Sequence, residues 1–182
     1  MADILAILRQ DHINMLRLLD ALGRQINTFA DDGHADLEIV AAIADYILEY
    51  PDRFHHPVED LVLAELRQRD ASAAQPSDGL EGEHERIGQL ARDFHIAVET
   101  LISDEPARRA DFLDTARAFV SAMRDHITRE DKEFFPAAAA VLTRENLDRL
   151  AGRLGRRGDI LAYAGAAPRD GGPGAVYVLL RR

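Results

Sequence analysis

The chain has no cysteine. Thiolate zinc sites, iron–sulfur clusters, disulfides and thiol catalysis are therefore excluded, and any metal must be held by imidazole and carboxylate. It has no apolar run of about 18 residues, so no membrane-spanning helix and no membrane partner are expected. It is short of positive charge: Lys plus Arg is 22 against 32 for Asp plus Glu, a formal net charge of −10. That is the wrong sign for a phosphate backbone, and a nucleic-acid partner is not expected. The opening stretch, MADILAILRQDH, lacks a basic leader and carries Asp3 and Asp11 around a short apolar run. It reads as the start of a helix rather than a signal peptide, and a cytoplasmic location is the expectation. No glycine loop suited to phosphate is present, and no serine is placed to complete a hydrolase triad with the histidines.

Glycine and proline are almost absent from the long apolar-periodic stretches and cluster between them. A first helix is predicted from about Asp3 to Phe29, closed by Asp31-Asp32-Gly33. A second runs from about Asp36 to Arg69, with a kink or break expected at Pro51 and Pro57. Residues 70–79, small and polar, read as a loop. A third helix runs from Leu80 to Ile102, ended by Ser103-Asp104-Glu105-Pro106. A fourth starts near Ala107 and passes His126 to about Leu142, with a kink expected at Pro136; Thr143 opens a short fifth helix. The expected fold is all-α, an up-down-up-down antiparallel four-helix bundle over residues 1–155. A C-terminal tail follows over residues 156–182, rich in Gly, Ala and Pro before Val176-Tyr-Val-Leu-Leu180. That tail reads as a short strand, a docking arm or an unstructured end, and its apolar run is a candidate seam for a homodimer.

Each long helix carries a histidine on its apolar stripe. In the first, Leu5, Leu8, His12, Met15, Leu19 and Leu22 follow steps of three and four. In the third, His84 keeps step with Leu80, Ile87, Ala91, Phe94 and Val98. In the fourth, His126 and Glu130 continue the series Phe112, Ala116, Phe119, Met123. In the second, Ile47, Phe54, His55, Val58, Glu59, Val62 and Leu66 do so approximately, because the prolines blur the phase. A single inward histidine is ordinarily a core residue bonded to a carbonyl. Four inward histidines with two inward glutamates are different. Burying them uncompensated would exceed a domain's net stability of ~5–15 kcal/mol, and a bound cation removes the contradiction.

The pairs His55–Glu59 and His126–Glu130 put both side chains on one helix face a turn apart, in reach of one centre or of two adjacent ones. Imidazole and carboxylate suit iron, manganese or zinc, and oxygen chemistry favours iron. Four nitrogens and two bridging carboxylates supply about four donors per metal of the roughly six that octahedral iron takes. Room is left for an oxo or hydroxo bridge and for an outside ligand such as dioxygen, peroxide or nitric oxide.

The run Phe54-His55-His56-Pro57-Val58-Glu59-Asp60, with His12 before it and His84 and His126-Ile-Thr-Arg-Glu130-Asp131 after it, resembles the hemerythrin-like HHE cation-binding family over about residues 1–142. The resemblance implies a non-haem di-iron site in an antiparallel bundle. Glu59 and Glu130 would bridge, with one iron-binding histidine from each helix: His12, His55, His84 and His126. Family members are linked to sensing of oxygen or nitric oxide, iron handling, peroxide breakdown and repair of iron centres. The implied role is a binding or sensing protein rather than a dedicated enzyme. The alternatives are a di-iron enzyme that decomposes peroxide or repairs iron centres, and a metal-free interaction bundle. Oxygen-carrying members have a second histidine four residues after the one on the third helix; here that position is Gly88. His56 is a candidate for the missing ligand. Carriers also use an aspartate where Asp131 stands, so Glu130 and Asp131 compete, and Glu130 repeats the His55–Glu59 spacing. A ferritin-like site needs Glu-x-x-His on two helices, and only Glu81-x-x-His84 fits. His34 and His95 read as solvent-facing, and Tyr46, Tyr50, Phe134 and Phe135 as packing residues.

Overall fold

The computed structural model describes residues 3–103, 109–154, 160–165 and 176–180. The expected helix end at 104–106 and helix start at Ala107 lie outside the described residues, as does most of the tail. The body is helical. Helix α1 spans Ile4–Asp32. The Asp3 carboxylate opens it, accepting from the amides of Leu5 at 3.0 Å and Ala6 at 3.4 Å. Gly33 closes it, adopting φ 81° while its amide donates to the Phe29 carbonyl at 3.0 Å. Helix α2 (Leu37–Tyr50) starts on an Asp36 cap, which accepts from the Ile39 amide at 3.2 Å.

Where proline predicts a kink or break, the α-helix gives way to a wider turn. Residues Pro51–His55 form a π turn, and helix α3 continues over His56–Arg69. The His56 amide donates to the Pro51 carbonyl, five residues back. The same device recurs: helix α6 (Arg109–Arg129) runs into a π turn over Glu130–Phe134 and continues as α7 (Phe135–Val141). The reason is local. A proline lacks the N–H and collides with the carbonyl four residues back. For Pro57 that carbonyl belongs to Arg53, and for Pro136 to Lys132, each in the middle of its π turn. The wider turn absorbs the proline without ending the helix, and π turns of this kind cluster at functional sites.

Residues 70–79, expected as a loop, are largely helical: α4 (Ala71–Ala74) and a 3₁₀ turn over Gln75–Ser77. Asp70 explains this, because its carboxylate accepts from the Ala73 amide at 2.9 Å and caps an alanine-rich turn. Helix α5 spans Leu80–Ile102 and α8 spans Arg144–Leu154, the latter opened by Thr143. Strands β1 (Ile160–Gly165) and β2 (Val176–Leu180) pair antiparallel. No helix among the described residues is long and apolar enough to cross a membrane.

Two compact units emerge, one of Leu16–Pro57 and Asp78–Glu130, the other of Met1–Met15, Val58–Ser77 and Asp131–Arg182. In the first, α2 and α6 both pack on α5. Its core is aromatic: Phe94 stacks on Phe119 with centroids 5.8 Å apart, and Phe112 meets Phe29 edge-on at 5.2 Å. Arg109 lies over the Phe29 ring and donates to the carbonyls of Phe29 and Ala30. In the second unit, Leu5, Leu8, Val62, Leu63, Leu66, Phe134, Phe135 and Leu150 are buried, and α4 packs against α7.

Phe119 is fully buried. Phe119→Ala should cost ~3–5 kcal/mol, read as a lowered urea midpoint. A loss under ~1 kcal/mol would mean that the ring does not fill a packed core.

Candidate metal centre

The π turns decide which side chains face inward. Successive residues of an α-helix point about 100° apart, so a change of pitch changes which side chains face the core. A π turn advances less per residue. At its end, His55 and His56 are both buried, at 2% and 3% exposure. Phe54, which the blurred periodicity placed on the apolar stripe, is only half-buried. Glu130, the first residue of the other π turn, is completely buried, whereas the Asp131 side chain is 42% exposed.

The unit holding α2, α5 and α6 gathers one cluster. The His56 ring stacks on that of His84, with centroids 4.1 Å apart and an interplanar angle of 4°. His126 stands edge-on to both, at 5.6 Å from His56 and 4.9 Å from His84. His56, His84 and His126 each offer a ring nitrogen within 4.8 Å of the others, and His55 and Glu130 approach within the same limit. Glu130 turns one oxygen to each of two histidines: Oε1 lies 3.4 Å from His84 Nε2, and Oε2 lies 3.2 Å from His126 Nε2. The other unit repeats the arrangement in smaller form, with His12 Nε2 3.4 Å from Glu59 Oε1 and both groups buried.

These separations fit a shared cation. Donors bound at about 2.0–2.2 Å and set at about 90–110° around one metal lie roughly 3–3.4 Å apart. The chemistry of the set fits as well: imidazole nitrogen and carboxylate oxygen, buried, with no thiolate.

The opposite ring nitrogens carry a second pattern, which sequence reasoning missed. His56 Nδ1 lies 3.1 Å from Asp52 Oδ1, and His126 Nδ1 lies 3.1 Å from Glu83 Oε2. His12 Nδ1 lies 3.0 Å from Asp131 Oδ1. A carboxylate that accepts from Nδ1–H fixes the tautomer and leaves Nε2 to face a metal. Asp131 thus orients a histidine, while Glu130 occupies the interior. Arg129 donates to Glu83 and to the Asp78 carbonyl, holding that carboxylate in place. Phe135 stacks on His12 with centroids 5.0 Å apart. The one sequence signal for Asp52 is its position a helical turn before His56; Asp131 stood out only as a rival ligand to Glu130, and its pairing with His12, like that of Glu83 with His126, depends on tertiary packing.

His34 is exposed and His95 bonds to the Asp45 carboxylate at 2.9 Å, so neither joins the cluster. Tyr46 stacks on Tyr50 with centroids 5.0 Å apart, and Tyr50 in turn meets Phe54. A groove of about 390 Å³ opens between α5 and α6, lined by Arg86, Ile87, Ala118 and Ala122 and reaching His126 and Glu83.

The sequence matches the model of the hemerythrin HHE cation binding domain over residues 3–138. The chain belongs to that family. No curated protein and no solved structure matches it. The match runs from α1 into α7 and takes in every histidine and glutamate of the cluster. Cation binding, the property in the family's name, is what this buried His/Glu group is chemically equipped to do. Within this HHE domain, Glu83→Ala would leave His126 without its carboxylate. A 10–100-fold loss of metal affinity is expected, with unchanged helix content, in competition against a chromogenic chelator. Unchanged affinity would show that the His126–Glu83 bond does not serve the metal.

Proposed function

We propose that this chain is a non-haem di-iron protein that binds a small oxidant or diatomic ligand, such as dioxygen, nitric oxide or peroxide. The observation that carries this is Glu130, buried and turning one oxygen to each of two histidine Nε2 atoms. A fully buried carboxylate between two imidazoles is costly on its own and favourable around a cation. The proposed ligands are His12, His55, His56, Glu59, His84, His126 and Glu130, with the two glutamates bridging, in an up-down-up-down bundle. Manganese or zinc would suit the same donors; oxygen chemistry favours iron.

Adding His56 changes the donor count. Five imidazoles give five nitrogens and two bridging carboxylates four oxygens, nine donors where two octahedral ions take about twelve. A solvent-derived bridge would use two of the three vacant positions and an outside ligand the third. When bound, a pair of ferrous ions supplies electrons and an open coordination position. The protein's residues do the rest. Asp52, Glu83 and Asp131 hold three imidazoles in the tautomer that presents Nε2. The aromatic and aliphatic surroundings exclude bulk water. The groove beside His126, whose charged lining is balanced between Arg86 and Arg129 and between Glu83 and Asp125, would admit a small ligand. A peroxide-decomposing enzyme using the same centre is the second reading, favoured by that open groove.

Aerobic loading with ferrous iron should give two irons per chain and near-ultraviolet charge-transfer bands. Glu59→Ala should abolish the bands and at least halve the iron content. A wild-type chain holding less than about one iron, with a melting temperature indifferent to chelator, would overturn the proposal. Rapid peroxide turnover by the loaded protein would favour the enzyme.

A further inference from the structure

Gly88 sits in the middle of α5, one turn beyond His84, and it is buried. Glycine there weakens the helix relative to alanine. No turn or positive φ asks for it. What asks for it is space: a Cβ at this position would lie 2.5 Å from Asp52 Oδ2 and 3.3 Å from Asp52 Cγ. The Asp52 carboxylate is seated where a side chain at position 88 would be.

That carboxylate has one close partner and one loose one. Oδ1 faces His56 Nδ1 at 3.1 Å, and Oδ2 lies 3.9 Å from Arg92 Nη1. Arg92 stands one turn further along α5 and is steadied by Gln89, whose Oε1 accepts from it at 3.1 Å and 3.3 Å. Asp52 belongs to the π turn whose last bond, from the His56 amide to the Pro51 carbonyl, also orients His56.

We infer that Gly88 and Asp52 form a positioning device for His56: the missing side chain on α5 gives the Asp52 carboxylate its seat, and that carboxylate holds the imidazole with Nε2 toward the metal. Glycine at 88 therefore selects which helix supplies the extra imidazole. With the space open, it comes from the junction of the π turn and α3. A side chain at 88 would unseat Asp52 and release His56. Asp52 and Gly88 are positioning residues, since neither is among the proposed ligands. The inference rests on the di-iron reading for its consequence, though the seating of His56 is testable without metal.

The test compares the full chain with G88A, D52A and D52N. In metal-free protein with ¹⁵N-labelled histidine, His56 should appear as the Nδ1–H tautomer in the wild type and shift toward Nε2–H in G88A and D52A. Metal-free G88A should melt no lower than the wild type, because alanine suits the helix better. Its iron affinity, and that of D52A, should fall 10–100-fold. D52N, whose amide oxygen still accepts from Nδ1–H, should fall less. The double variant G88A/D52A should be no weaker than either single one. Wild-type iron affinity or an unmoved tautomer in D52A would overturn the device while leaving the di-iron proposal intact. Affinity lost only in step with metal-free stability would reduce Gly88 to packing and overturn it too. A wild-type chain that keeps the tautomer but binds no iron would sink the di-iron proposal and leave the seating of His56 standing. Should G88A not fold, the Asp52 variants decide the matter.

Discussion

A buried carboxylate that faces two imidazoles is the constraint on which the rest of this molecule turns. Glu130 is shut off from water, and both of its oxygens are directed at histidine Nε2 atoms, His84 on one side and His126 on the other. In a low-dielectric interior such a charge must be compensated or the segment that carries it will not stay buried. His12 and Glu59 pose the same demand. A cation meets it. A cation at Glu130 would tie α5 to α6 through His84 and His126, so binding and stability would become linked.

Much of the fold was legible because apolar spacing is a local property. Leu80, His84, Ile87, Ala91, Phe94 and Val98 keep helical step, and α5 buries all of them over the predicted Leu80–Ile102. His126 could be placed inward for the same reason, from Phe112, Ala116, Phe119 and Met123 on α6. The prolines marked the right places without showing the form. Pro51, Pro57 and Pro136 predicted kinks, and the helices accommodate them by widening into π turns. A proline marks where a helix must be repaired, not how. That difference matters for the site, because the π turn ends at His55 and His56, two neighbours that are both buried.

The part of the site that was not legible is its outer layer. Glu83 reaches His126 from another helix, and Asp131 reaches His12 across 119 positions of chain. Those pairings are set by packing and leave no periodic trace. Gly88 was conspicuous in the sequence only as a departure from the oxygen-carrier pattern. In the structure it is a space filled by Asp52. That proximity is visible only when both helices are seen together.

The most direct measurement is a crystal structure of the iron-loaded protein with anomalous scattering recorded at the iron edge. Two peaks per chain, both bonded by Glu59 and Glu130 and together reached by His12, His55, His56, His84 and His126, are expected. A single peak, none, or peaks bonded by other residues would contradict a di-iron centre at this cluster.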